Sequence, residues 1–232
     1  MKYAAYTGTR NLYPDMIPSL KSLLMHSSVD RVFLLIEDDE FPEYLPECVT
    51  TINVSNQKIF KPDGPNMKSQ YTYMAMMRSG LGKLPEFKNI PKVFVMDSDT
   101  IVRHNIDELW DIDLGPNYFA AVHEKHRTYE GLLYCNMGVV MYNLDALRSN
   151  GKIDEIIDVL NRRRYTWVEQ DVNNYLCQGY ILELDGDYNA NDWTIHSDDP
   201  KIMHYAGIKD WTKYSAVKQY RDISWKDIRG GI

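Results

Sequence analysis

Short, nearly continuous apolar runs alternate along this 232-residue chain with stretches in which apolar residues recur every third or fourth position. The first pattern predicts strands buried on both faces and the second predicts amphipathic helices. Their alternation predicts an α/β fold with a mostly parallel sheet covered by helices. Lys2–Thr7 reads as the first strand, followed by a helix carrying Met16, Ile17, Leu20, Leu23 and Leu24, then by the apolar run Arg31–Ile36. A third strand over Thr50–Val54 leads into a Pro/Gly/Asn-rich connection, Lys61–Asn66, and a helix over Ser69–Arg78. Lys92–Met96 is the most strand-like run and delivers the chain directly into Asp97-Ser98-Asp99. Further strands are predicted at Tyr118–Val122, Gly138–Asn143 and Ile181–Leu184, and helices at Ile153–Arg163 and Glu169–Cys177; beyond these the pattern is irregular. Neither an internal repeat nor a shift in composition divides the chain, so residues 1–232 are expected to form one domain.

Composition narrows the function classes. With 44% apolar and 25% charged residues the chain can bury a core without staples, and a formal charge of −7 leaves no broad cationic surface for nucleic acid. Cys48, Cys135 and Cys177 are widely spaced and outside any metal-ligand spacing, which reads as buried thiols in a reducing compartment. The opening MKYAAYTGTR turns polar before an apolar signal core forms, and no later run reaches the roughly 18 apolar residues of a membrane span. These features predict a cytoplasmic protein without an integral membrane segment; peripheral membrane contact and oligomeric state stay open.

Ligands of open α/β sheets bind beyond the carboxyl ends of the strands, where Asp97 and Asp99 stand. Alternation along an extended segment would put both carboxylates on one side, able to share a hard cation. Three other segments join them: Cys135-Asn136-Met137-Gly138, Glu169-Gln170-Asp171, and His204-Tyr205-Ala206-Gly207-Ile208-Lys209-Asp210-Trp211. In this order, spread over nearly the whole chain, they resemble the retaining glycosyltransferases of family 8, which include glycogenin and bacterial lipopolysaccharide galactosyl- and glucosyltransferases. That resemblance implies the GT-A fold, a single Rossmann-like, mostly parallel sheet flanked by helices with a smaller antiparallel portion.

It also implies roles. Asp97, Asp99 and His204 would hold a divalent ion, Mn²⁺ or alternatively Mg²⁺, the imidazole favouring Mn²⁺. Ser98 lies between the acids, and Gly207 and Lys209 would approach the diphosphate of the donor. Asn136, Glu169 and Gln170 would face the donor sugar and its anomeric carbon as the catalytic set. The first strand and its loop resemble a uridine-binding turn, with Tyr6, Thr7, Thr9 and Asn11 around the base and Tyr13 stacked on it. Arg78, in the helix before Asp97, would reach the donor. Two positions depart from the family pattern: Lys209 follows Gly207 by two residues with Asp210 in place of proline, and Glu169 replaces an aspartate.

The implied reaction is transfer of a hexose from UDP-glucose or UDP-galactose to a glycan, lipid-linked or protein acceptor, with retention. Trp193, Trp211 and Tyr205 are candidate acceptor-side aromatics. Two rivals remain at this level. Gly8-Thr9-Arg10 also resembles a segment of sugar-nucleotide pyrophosphorylases, although Tyr6-Thr7 stands where those enzymes have glycines. A non-catalytic UDP-sugar-binding module would need the same pocket.

Overall fold

The computed structural model describes residues 1–69 and 71–228. Its main sheet has seven strands: β1 (Tyr3–Thr7), β2 (Arg31–Ile36), β3 (Val49–Asn53), β4 (Lys92–Met96), β6 (Phe119–Tyr129), β7 (Leu132–Asn143) and β8 (Ile181–Leu184), in the spatial order β3-β2-β1-β4-β7-β6-β8. Only β7 runs against its neighbours; β3, β2, β1 and β4 are mutually parallel, and β8 is parallel to β6. A second, antiparallel sheet pairs β5 (Thr100–Val102) with β9 (Ile202–His204), setting Thr100 opposite His204. The expected mostly parallel sheet with a smaller antiparallel portion is therefore present.

Period-two alternation builds two cores, one on each face of the sheet. Val93 and Val95 of β4, with Phe33 and Leu35 of β2, join the methionines Met74, Met76 and Met77 on one face; Phe94, Met96, Leu34 and Ile36 join Met16, Leu20 and Leu23 on the other. Helix α1 (Tyr13–His26) supplies the second cluster; α2 (Thr72–Met77), α3 (Leu144–Ser149), α4 (Lys152–Arg162) and α5 (Val168–Leu176) supply the first. Helix α6 (Ser215–Asp222) packs Val217 and Tyr220 into a small third cluster with Trp211 and Tyr205. Cys135 and Cys177 are buried, and burial pushes the Cys177 thiol up to about 12, whereas Cys48 is only half-buried. Among the described residues no helix is long and apolar enough to cross a membrane.

Boundaries differ from the expectations where polar residues enter strands. β6 and β7 (11 and 12 residues) are each six residues longer than the predicted strands because the polar run His123–Tyr129 continues β6 into a hairpin with the start of β7. Glu130 and Gly131 close that hairpin, both at positive φ (50° and 80°), the backbone that tight hairpin turns require. The predicted helix over Ser69–Arg78 has only Thr72–Met77 as α-helix and tightens into a 3₁₀ segment at Arg78; Gln70 lies outside the described residues.

Candidate active site

β1 is flanked by β2 on one side and β4 on the other, so chain direction around the sheet reverses beside it. A crevice opens at such a switch point. Here it is a cavity of about 830 Å³ at the carboxyl ends of β1 and β4, within the size range of a drug-sized ligand site.

Asp97 and Asp99 lie on its floor, joined by His204 from β9; one ligand atom from each lies within 4.8 Å of the other two. The mechanism of convergence corrects the strand-alternation expectation. Asp97-Ser98-Asp99 is a turn between β4 and β5, closed by Thr100 Oγ1 donating to the Asp97 carbonyl (2.7 Å), and β5–β9 pairing brings in the imidazole. His204 Nε2 is 3.3 Å from Asp99 Oδ1 and 3.7 Å from Asp97 Oδ2. Burial alone would lower the His204 pKa, but Asp99 and Asp97 hold it above its ordinary value. The crowding is visible on the acids too. Enclosure and the Asp99 charge push the Asp97 carboxyl up to about 6 against the pull of Arg78; Asp99, against the enclosure, stays below the usual range through His204.

The donor set suits a divalent cation, and the surroundings leave room for one. A Cβ added at Gly138 would lie 2.1 Å from His204 Cε1 and 2.9 Å from Asp97 Oδ2, so a side chain there would displace two of the three groups. The tautomer is also set. Asn189 Nδ2 donates to Asn136 Oδ1 (2.9 Å), which turns Asn189 Oδ1 towards His204 Nδ1 (2.8 Å). In the neutral ring Nδ1 therefore carries the proton, and Nε2 turns its lone pair to the acids' side of the cluster.

A second layer of polar groups holds the remaining side chains. Buried Arg78 pairs with Asp97 (2.5 Å) and with Glu169, and also donates to the Met137 carbonyl (2.9 Å). Glu124 Oε1 accepts from both Asn136 Nδ2 (3.0 Å) and Gln170 Nε2 (3.2 Å), orienting both amides. Gln170 Oε1 in turn accepts from Met137 N–H (3.0 Å). The acidic start of α5 divides its labour: Asp171 Oδ2 accepts from Trp167 N–H (2.9 Å) as a helix-end cap, whereas Glu169 turns inward to Arg78. Val168, immediately before Glu169, takes φ +43°, a conformation that costs a β-branched residue about 1–3 kcal/mol. Thr72, on the cavity wall at the start of α2, is similarly strained at φ +58°.

The structure thus brings Asp97, Ser98, Asp99, Asn136, Glu169, Gln170, His204, Gly207 and Arg78 to one cavity, with Thr7, Thr9 and Asn11 on its far wall. It does not bring Tyr6, Tyr13 or Lys209. Tyr6 is fully buried, accepting from Ser19 Oγ (3.2 Å), and Tyr13 is 4% exposed, its ring 5.0 Å from that of Phe41 and its hydroxyl between Asp38 (3.1 Å) and Glu37 N–H (2.8 Å). Leu12 takes the place at the wall expected of Tyr13. Lys209 is exposed on the turn outside the lining. Trp193 and Trp211 line the cavity, whereas Tyr205 packs in the third cluster.

Several lining residues were not foreseen. Asp15 stands near Asp99, its pKa raised by burial and that charge. Glu124, His126, Arg127 and Trp167 come from the polar end of β6 and the entry to α5; Arg127 lies between the rings of Tyr134 (4.7 Å) and Trp167 (4.8 Å). The one usable signal was the charged stretch His123–Arg127 continuing a predicted strand.

Comparison with known proteins agrees with this geometry. Residues 4–215 match the sequence model described as glycosyl transferase family 8. Among curated proteins, glycosyltransferase GlyA of Streptococcus pneumoniae is 26% identical over 91% of this chain and 32% of its own length, and glycosyltransferase GlyE of the same organism is 25% identical over 90% and 56%. The chain therefore spans about a third to two thirds of the length of the curated relatives it matches. Among solved structures, the galactosyltransferase LgtC bound to donor and acceptor sugar analogs superposes with a TM-score of 0.67 (18% identity; 94% of this chain, 95% of that one). GlyE superposes at 0.71 (20% identity; 97% and 61%). These likenesses establish the GT-A fold.

Proposed function

The chain belongs to glycosyl transferase family 8, and on that premise we propose that it transfers a hexose from UDP-glucose or UDP-galactose to an acceptor hydroxyl, with Mn²⁺ and with retention at the anomeric carbon. The observation that carries this reading is the convergence of Asp97, Asp99 and His204 on the floor of the cavity. They would hold the ion, which when bound neutralises charge as UDP departs.

The chain's own residues supply the rest. Thr7, Thr9, Asn11 and Leu12 form the wall on which uridine lies. Gly207, at φ +71°, lets the backbone turn close to the diphosphate. Asn136 and Gln170 present amides already oriented by Glu124, so their dipoles need no rearrangement as charge develops on the sugar. Glu169 is held in an ion pair by Arg78. That pairing lowers its power as a nucleophile and favours same-face displacement guided by the amides over a covalent intermediate on Glu169. We assign the whole of residues 1–232 to this one catalytic domain.

Purified protein given UDP-glucose or UDP-galactose should release UDP slowly without acceptor, faster with Mn²⁺, and Asp99→Ala should abolish the stimulation. Equal release by variant and parent in metal-free buffer would contradict the reading. Binding of UDP-sugar without turnover would favour a binding module instead. The pyrophosphorylase likeness has no support in the site, because Arg10 lies outside the cavity lining in an exposed ion pair with Asp38 (2.6 Å).

A further inference from the structure

Arg78 is the hub of the polar wall, where its guanidinium reaches Asp97 (2.5 Å), the Met137 carbonyl (2.9 Å) and Glu169 at once. These bonds fix the charged ends; the backbones that carry them are fixed elsewhere. Arg78 stands where α2 tightens into the 3₁₀ segment, and Glu169 follows Val168, strained at φ +43°. A small relaxation at either place would carry a charged group out of register.

One buried side chain touches both places. Asn173, one turn after Glu169 on α5, donates from Nδ2 to the Glu169 carbonyl (2.8 Å) and to Oγ of Ser79 (2.7 Å), the residue next to Arg78. The amide nitrogen has two hydrogens, so each bond takes one. Asn173, Ser79, Arg78 and Glu169 are all buried. Asn173 does not line the cavity, so its part there is to hold other residues.

The other end of the amide shows why it is an amide. Asn173 Oδ1 is enclosed without a hydrogen-bond partner. An unpaired buried acceptor is unfavourable, and a leucine, branched in the same way, would sit beside the buried cluster of Val168, Val172 and Cys177 without that cost. The next residue makes the contrast. Asn174 uses both ends, donating to the Cys135 and Gln170 carbonyls (2.8 and 2.9 Å) and accepting from Cys135 N–H (2.7 Å), as an asparagine that only ties α5 to β7 should. Asn173 serves the core less well than leucine would, and what it adds is its two donors.

We propose that Asn173 is a positioning residue: through Ser79 and the Glu169 carbonyl it sets Arg78, and with it the Asp97 and Glu169 carboxylates, in the register that turnover requires. This rests on the transferase reading above and adds to it a group outside the cavity.

Asn173→Leu removes both donors with little change of shape, and Ser79→Ala removes one of their acceptors. Leu160→Ala, a truncation on α4 in the same apolar cluster, is the control for lost stability alone. Each protein is given UDP-glucose or UDP-galactose with Mn²⁺, and kcat and KM for UDP release are measured beside UDP affinity by calorimetry, which reports folding. In Asn173→Leu, kcat should fall about tenfold or more while KM and UDP affinity stay within about threefold, the split expected when reacting groups are misplaced and the nucleotide wall is intact. Ser79→Ala should show a smaller loss of the same kind, and the double variant should be no worse than Asn173→Leu, because the two changes remove one shared bond. If Asn173→Leu does not bind UDP, Ser79→Ala carries the test. Unchanged kcat would overturn the proposal, and so would an equal fall in Leu160→Ala or fully additive losses in the double variant.

The Arg78 Nε–H resonance tests the same claim without turnover. It should shift or broaden in Asn173→Leu and keep its place in Leu160→Ala; an unmoved resonance in Asn173→Leu would overturn the proposal. A parent protein that binds UDP but releases none from either sugar would defeat the transferase reading, while the resonance would still decide whether Asn173 sets Arg78.

Discussion

The two walls of the cavity are built on opposite plans. On the wall that carries the proposed metal ligands, Asp97, Asp99, His204, Asn136 and Arg78 are tied together through Asn189, Glu124 and Glu169. On the wall proposed to receive the nucleotide, Thr7, Thr9, Asn11 and Leu12 form a short loop in which Thr9 and Asn11 are in contact (2.6 Å), while Tyr6 and Tyr13 are turned into the core. The difference follows from what each wall must do. Charges that act on a leaving group are effective only if already oriented, because reorganising them during reaction costs free energy. A base and ribose can be received by backbone and small polar groups.

The comparison is broken most severely by removing the arginine at the centre of the first wall. Arg78→Ala leaves Asp97 and Glu169 facing each other unpaired, and loss of one partner of a buried ion pair costs about 3–5 kcal/mol. Urea unfolding should show a loss of that order; a change below about 1 kcal/mol would mean that the wall is not held by charge. Arg10→Ala, which removes an exposed ion pair beside the other wall, should leave unfolding unchanged.

A smaller change strikes the cation pocket alone. Gly138→Ala places a methyl group in the space of His204 and Asp97, so Mn²⁺ affinity measured by electron paramagnetic resonance should fall about tenfold or more, the scale seen when groups that position metal ligands are lost. Retained affinity would show that the cluster can move aside.

The two walls should also differ in pH response. His204 has its pKa raised in the folded protein, so its imidazolium contributes stability in full below the ordinary histidine value and loses it as pH rises through the elevated one. The same proton competes with a cation for Nε2. Mn²⁺ affinity should therefore climb as pH rises through that titration, and a flat profile would remove His204 from the ligand set. Uridine binding, measured without metal, should not follow it.

The smallest effect is expected at Tyr13. Tyr13→Phe removes hydrogen bonds to Glu37 and Asp38, worth about 1 kcal/mol of stability, but should leave UDP affinity within about twofold. A large loss of UDP affinity would restore the stacking role to Tyr13.

The same contrast explains what was legible in the sequence. Carboxylates at the end of an apolar strand advertise their chemistry, so Asp97 and Asp99 could be read directly, and four ordered segments pointed to the family now shown. The strands Arg31–Ile36, Lys92–Met96 and Ile181–Leu184 were read to the residue because their apolar runs end abruptly in polar ones. β5 and β9 were not, since three residues carry too little periodicity, although their pairing is what delivers His204. Glu124 and Asn189 were invisible for another reason. Each acts by orienting a residue distant in sequence, and nothing local distinguishes it from any surface Glu or Asn. Tyr6 and Tyr13 are turned into the core while their neighbours Thr7 and Leu12 line the cavity, because residue type says nothing of direction.

The central claim is that Asp97, Asp99 and His204 hold one ion jointly with UDP. Titration of Mn²⁺ followed by electron paramagnetic resonance, with and without UDP, tests it in the parent protein and in Asp99→Asn and His204→Ala. One site per chain, tightened by UDP and weakened in both variants, is the expected result. Equal Mn²⁺ binding by all three proteins, or binding that UDP does not alter, would contradict it.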